Sequence, residues 1–112
     1  MRINVVTIFP AFFDEPLRTS IPGRAATAGI AEYRVVDLRD YTHDRHRTVD
    51  DEPYGGGAGM VMKPEPLAKA LGAARERMPD ALTLLMTPQG RPFSQQTAAE
   101  LARRYAHSSR AI

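Results

Sequence analysis

INVVTIF, residues 3–9, is a nearly unbroken apolar and β-branched run of strand length. Continuous apolarity marks a strand covered on both faces, because a strand open to water on one side alternates with polar residues. The signature returns at Val35-Val36 within YRVVDL and at residues 82–86 within ALTLLMT. Between these runs lie helical patterns. Residues 64–78 place Leu67, Ala70, Leu71, Ala74 and Met78 at three- and four-residue spacing. Residues 95–105 repeat this with Ala98, Leu101, Ala102 and Tyr105, behind Ser94 as N-cap. The Ala-rich residues 24–31, following Pro22-Gly23, predict a third helix. The order β, α, β, long loop, α, β, α predicts an α/β fold, a parallel sheet with flanking helices.

Composition narrows the function classes. At 112 residues, 43% hydrophobic and 25% charged, the chain reads as one globular unit rather than a disordered segment. It contains no Cys, which excludes disulfides and thiolate metal sites and makes the cytoplasm the default compartment. No apolar run reaches the length of a membrane span, and no signal-peptide pattern opens the chain. Net charge is only +2, yet Lys63 and Lys69 are the only lysines. An arginine bias is compatible with RNA, because the guanidinium fork bonds phosphate and stacks on bases. Genomic base composition produces the same bias.

The long loop carries most of the chemistry. Residues 41–62, YTHDRHRTVDDEPYGGGAGMVM, concentrate His, Arg and Asp beside Gly55, Gly56, Gly57 and Gly59. Glycines admit positive φ and let a ligand approach the main chain without a Cβ in the way, at an entropic cost. His43 and His46, near Asp44 and Asp50, have the look of a metal cluster, but Arg45 and Arg47 interleave with them and repel a divalent cation. Asp50, Asp51 and Glu52 have the composition of paired acid/base carboxylates, although consecutive side chains diverge. The glycine run lacks the ending of a P-loop and the spacing of a dinucleotide fingerprint. What remains is close backbone approach to a flat or anionic ligand, with cations for phosphates and carboxylates and amides for base edges. A purely structural glycine hinge is the bland alternative.

Thr87-Pro88-Gln89-Gly90 follows the third expected strand. Ligands of open parallel sheets sit beyond the carboxyl ends of strands, where such a turn exposes main-chain groups. A tight strand-to-helix turn explains the same residues. After Tyr105 the helical pattern gives way to His107-Ser108-Ser109-Arg110, and the chain stops at Ala111-Ile112. An α/β pattern would begin its next strand there, so the sequence reads as the front part of one domain.

Ile8-Phe9-Pro10, Gly23-Arg24-Ala25, Asp37-Leu38-Arg39-Asp40, THDRHRTVDD, PYGGGAGM and Pro88-Gln89-Gly90 together carry a resemblance. The chain resembles, over essentially its whole length, the N-terminal part of the bacterial tRNA (guanine-N1)-methyltransferases of the SPOUT superfamily. These modify the guanine immediately 3′ of the anticodon. The resemblance implies an α/β domain with a deep trefoil knot, a homodimer with shared active sites, and S-adenosylmethionine as cofactor. It implies that Met86, Thr87, Pro88 and Gly90 line the adenine pocket, and that Tyr54 and Gly55 border the cofactor. It assigns contact with the tRNA anticodon stem-loop to Arg24, His46, Asp50, Gly57, Ala58 and Gly59, with Arg45 and Arg47 as additions of which one points away. Ala11 and Ala58 are minor departures from the family pattern.

The reaction so implied is in-line attack of guanine N1 on the methyl carbon of a sulfonium, with a general base removing the N1 proton. Positioning of a base taken out of its stack supplies much of the rest. The family's Gly-Arg-Tyr-Glu-Gly cofactor loop, catalytic Asp and its Arg partner, and the C-terminal helical domain fall beyond Ile112. No catalytic residue is therefore expected within residues 1–112, and the fragment is expected to be inactive alone. None of Asp44, Asp50 or Asp51 takes the role of base. The alternatives are a non-catalytic tRNA-binding module or remnant, and a phosphate-handling hydrolase built on the His and Asp cluster.

Overall fold

The computed structural model describes residues 1–105, so the expected break from helix at His107 to Arg110 and the residues after it lie outside the described part. β1 (Arg2–Thr7) and β2 (Glu32–Asp37) form a parallel pair in register from Arg2 opposite Glu32 to Thr7 opposite Asp37. This is the parallel start expected from the apolar runs. A parallel pair needs a crossover, here a 3₁₀ turn at Pro10–Phe13, α1 (Asp14–Arg18) and α2 (Ser20–Thr27).

α2 begins before Pro22, not after it. Proline is tolerated in a first turn, where its missing N–H has no intrahelical partner to lose. Gly23 then sits inside the helix for a steric reason: a Cβ there would lie 2.0 Å from the Arg18 carbonyl oxygen. Only a residue without a side chain lets α2 pack this closely on the end of α1. The helix ends at Thr27, short of the expected Ala31, and is closed by Gly29 (φ +68°), with Ile30 N–H bonding the Ala25 carbonyl at 2.9 Å and Gly29 N–H bonding the Ala26 carbonyl at 3.0 Å. These are the paired bonds of a Schellman cap.

β2 runs into a second 3₁₀ turn, Leu38–Tyr41, capped by the Asp37 carboxylate, which accepts from the Arg39 amide at 2.9 Å. Leu38 is the most deeply buried large side chain and clusters with Val49 and Ala70, flanked by Val6, Ile8, Tyr41 and Leu67. Burying a leucine stabilises by about 1.5–3 kcal/mol, so this cluster is what holds the long loop to the body. The Arg39 guanidinium donates to the Ile8 carbonyl, tying the end of β1 to the same turn.

α3 (Pro64–Arg77) and α4 (Gln95–Tyr105) lie where their periodicity places them. Ala70, at the centre of the expected face of α3, is buried, and so is Met78 just beyond the helix. Ser94 caps α4, its Oγ accepting from the Thr97 amide at 3.2 Å. No helix among the described residues is long and apolar enough to cross a membrane.

Two expectations need correction. Residues 82–86 form no strand, and Leu84, Leu85 and Met86 are exposed. A strand exists by pairing, and no described segment hydrogen-bonds this one, so high β-propensity alone leaves it irregular. The first two strands are also only partly covered: β1 is half-buried at best, and a concavity of about 570 Å³ beside β2, lined partly by Phe13, Leu17, Tyr33 and Val35, keeps the packing loose.

Candidate functional site

The long loop divides into two parts. Residues 42–49 form a tight structure built from their own polar side chains. Asp44 accepts from the Thr48 hydroxyl at 2.7 Å and from the Thr48 amide at 3.0 Å, while Arg47 N–H closes a turn on the Asp44 carbonyl at 3.0 Å. The Thr48 hydroxyl, seconded by its amide, holds the Asp44 carboxyl below its ordinary pKa. These bonds favour the ionised form, which accepts them best.

Arg47 turns back onto the body. Its Nε donates to the Arg39 carbonyl at 3.3 Å and its guanidinium pairs with Asp40. Its φ of +52° is unusual for a side chain of this size. The Lys69 ammonium donates to Nε2 of His43, linking the loop to α3. Arg45 and His46 stand exposed between these anchors. Of the adjacent cations, therefore, Arg47 is structural, and Arg45 and His46 face solvent. Sequence reasoning missed this internal bonding, although the Asp-x-x-x-Thr spacing from Asp44 to Thr48 was its visible signal.

The second part is a hairpin. β3 (Asp50–Asp51) pairs antiparallel with β4 (Val61–Met62), Asp50 lying opposite Met62, and the Lys63 amide bonds the Val49 carbonyl at 2.8 Å. Its tip holds Tyr54, Gly55, Gly56, Gly57, Ala58 and Gly59. The four glycines have φ between +78° and +131°, and a Cβ added to any of them would meet nothing within 4 Å. Space does not require glycine here; the backbone conformation does. Tyr54 is fully exposed, and among the described residues the one backbone bond across the tip runs from the Gly56 amide to the Pro53 carbonyl at 3.0 Å. The tip is therefore an open rim with bare main chain.

The third group, Met86, Thr87, Pro88 and Gly90, forms a turn closed by the Gly90 amide on the Thr87 carbonyl at 3.0 Å. Met86 is 84% exposed. Main-chain groups of residues 82–86 have no ladder partner among the described residues. Exposed apolar side chains therefore lie beside main-chain groups that have no ladder partner among the described residues. Among the described residues no backbone hydrogen bond joins this turn to the hairpin tip. Arg24 lies elsewhere again, on α2, lining a groove with Arg18. Among the described residues no three His, Asp or Glu side chains are grouped to hold a metal ion.

The family model for tRNA (Guanine-1)-methyltransferase TrmD matches residues 1–107. A tRNA (guanine-N(1)-)-methyltransferase of Leifsonia xyli subsp. xyli is 55% identical over 102 residues, which cover 91% of this chain and 44% of the relative. The protein of that name from Oleidesulfovibrio alaskensis is also 55% identical over 102 residues, 91% of this chain and 23% of the relative. That from Geotalea uraniireducens is 50% identical over 103 residues, 92% of this chain and 42% of the relative. The chain spans less than half the length of these curated relatives. Matched over nearly all of its residues, it belongs to the tRNA (Guanine-1)-methyltransferase family.

Proposed function

We propose that this chain is the part of a tRNA (guanine-N1)-methyltransferase that receives RNA and forms one wall of the cofactor pocket, in a cytoplasmic homodimer acting on the guanine 3′ of the anticodon. The supporting observation is the hairpin tip, with four positive-φ glycines, no side-chain obstruction within 4 Å, and a fully exposed tyrosine. A flat base can approach such main chain closely, and Tyr54 offers a stacking surface. Exposed His46 and Arg45 suit phosphates of the anticodon stem-loop, while Asp50, half-buried in the short ladder at the base of the hairpin, suits orientation of the tip.

S-adenosylmethionine, when bound, supplies the methyl group. The main chain of Met86, Thr87, Pro88 and Gly90 would hold its adenine, and Tyr54 with Gly55 would border it. Asp44 is ill suited to remove the guanine N1 proton, because its carboxylate is engaged by Thr48 and held below its ordinary pKa. The proton acceptor belongs to another part of the enzyme, and residues 1–112 alone are inactive.

A chimera tests this reading. This chain, replacing the matching segment of the Geotalea uraniireducens relative, transfers methyl to a tRNA with guanine 3′ of the anticodon and not to one with adenine there. The isolated 112-residue chain transfers none. A chimera that folds and dimerises but fails to methylate the guanine tRNA would overturn the proposal.

A further inference from the structure

Residues 42–48 hang mostly on the 3₁₀ turn that precedes them. The Thr42 hydroxyl donates to the Arg39 carbonyl at 2.7 Å, and Arg47 returns to the Arg39 carbonyl and to Asp40. Among the described residues one side-chain hydrogen bond leaves this local set and crosses to α3: the Lys69 ammonium donates to Nε2 of His43. The next residue of α3, Ala70, packs in the core with Val49. α3 therefore holds the segment at two points, a polar one near its start and an apolar one at its end. The exposed cations Arg45 and His46 lie on the backbone between them.

The polar tie has a condition that the apolar one lacks. An ammonium only donates, so Nε2 must offer its lone pair, and the neutral imidazole then carries its proton on Nδ1. A second proton makes both ring nitrogens donors. The bond is lost, and two cations face each other. His43 and Lys69 share a cavity of about 230 Å³ with Tyr41 from the preceding turn, Asp44 from the loop, and Lys63 and Glu65 from the start of α3. Asp44 is engaged by Thr48, and among the described residues no ion pair joins His43 or Lys69 to Asp44 or Glu65. No carboxylate is therefore in place to hold an imidazolium beside the ammonium.

We propose that Lys69 is a positioning residue for RNA binding, acting through neutral His43 to fix the backbone that carries Arg45 and His46, and releasing that backbone when His43 gains a proton. This rests on the RNA-binding reading above and concerns how the segment is held, not what it touches. Both side chains are exposed, so the bond is weak in isolation. Its leverage is its place, because a segment ordered beforehand loses less freedom when RNA binds. Histidine changes charge between about pH 5 and 8, which puts the release within reach of ordinary conditions.

The test compares binding of a synthetic anticodon stem-loop by the intact chain and by Lys69→Met at about pH 8 and about pH 5.5. Effects common to both proteins, protonation of His46 included, cancel in the ratio of their affinities. Lys69→Met binds about fivefold more weakly at the higher pH, and the ratio falls toward one at the lower, where the tie is open in both. In a His43→Gln background the amide oxygen accepts from Lys69 without titrating, so Lys69→Met weakens binding equally at both pH values. A ratio that does not change with pH overturns the proposal, because a lysine acting by charge alone keeps its effect when His43 is protonated. Imidazole nitrogen chemical shifts give a readout independent of RNA. At the higher pH, His43 is the Nδ1–H tautomer in the unaltered chain and reverts to the commoner Nε2–H tautomer in Lys69→Met. Nε2–H in the unaltered chain also overturns the proposal. Absence of stem-loop binding by the unaltered chain removes the RNA reading and this role with it, whereas the other two failures leave that reading standing.

Discussion

Residues 42–49 and the hairpin tip at residues 54–59 are close neighbours in sequence, both polar and exposed, yet they are built on opposite principles. The first is fastened by its own side chains: Asp44 to Thr48, Arg47 to Arg39 and Asp40, His43 to Lys69, and Val49 in the core. The second is fastened by almost nothing and shaped by glycine. An exposed loop can therefore be shaped in two ways. It can fix its backbone with bonds from its own side chains, as Asp44 and Arg47 do here, or it can remove side chains altogether. Each half fails differently when altered.

The largest effect is expected from unseating the fastened half. Leu38→Ala empties the centre of the cluster with Val49 and Ala70, which should cost roughly 2–5 kcal/mol by lost burial and residual cavity. Urea unfolding followed by circular dichroism measures it. A loss below about 1 kcal/mol would mean that the loop is not held by this core.

Next comes Gly57→Val. At φ +131° a β-branched residue is strained by about 1–3 kcal/mol, but nothing packs on the tip, so it can relax. Most of the cost is then loss of the tip's shape rather than of the fold. The melting temperature should change little, while affinity for a stem-loop RNA falls at least on the order of tenfold, about 1.4 kcal/mol. A valine variant binding RNA as well as the parent would leave the glycines without a recognition role. One that unfolds would erase the distinction between the two halves.

That distinction was partly legible beforehand. The glycines announced the bare tip by composition, and α3 and α4 were readable because a 3.6-residue period and a Ser94 cap are local properties. What could not be read depends on partners distant in sequence. Residues 82–86 have strand composition, but strand formation is decided by a neighbour, and none is described. Pro22-Gly23 looked like a helix boundary because both residues are poor helix formers. Their acceptance in α2 depends on a first-turn position and on the end of α1, neither visible locally. The fastening of residues 42–49 was hidden for the opposite reason: His, Arg and Asp in a loop look like ligand-binding groups, and only geometry reveals that Arg47 and His43 bond to the protein itself.

Asp44 gives a pH test specific to the fastened half. Its carboxyl pKa is lowered in the fold, first by the Thr48 hydroxyl, so the unfolded chain holds the proton more tightly. The resulting stabilisation is fully present above the ordinary aspartate range of about 4, and it is lost as pH falls through the lowered folded value. Between pH 5 and 8 it is constant. Thermal melts from pH 7 down to 2.5 should show the parent losing more stability below about pH 4 than Asp44→Asn. Parallel curves for the two proteins would show that the Asp44–Thr48 bonds do not fasten the loop.

The smallest effect is the most discriminating, because two contributions nearly cancel. Arg47 gains an ion pair with Asp40 that is half-exposed, worth no more than about 1 kcal/mol after screening. Against that, its φ of +52° costs a residue with a Cβ roughly 1 kcal/mol. Arg47→Ala discards the ion pair and keeps the strain, so it should be destabilised by somewhat under about 1 kcal/mol. Arg47→Gly discards both, and the relief of strain offsets the lost pair apart from glycine's greater unfolded-chain entropy. Glycine should therefore be the more stable variant, an inversion of the usual order in which alanine is preferred. Chemical denaturation of both variants at low and high salt measures it, and the gap between parent and Arg47→Gly should narrow at high salt. If alanine proves the more stable, the left-handed backbone at Arg47 is not a feature of the folded protein, and Arg47 fastens residues 42–49 through its side chain alone.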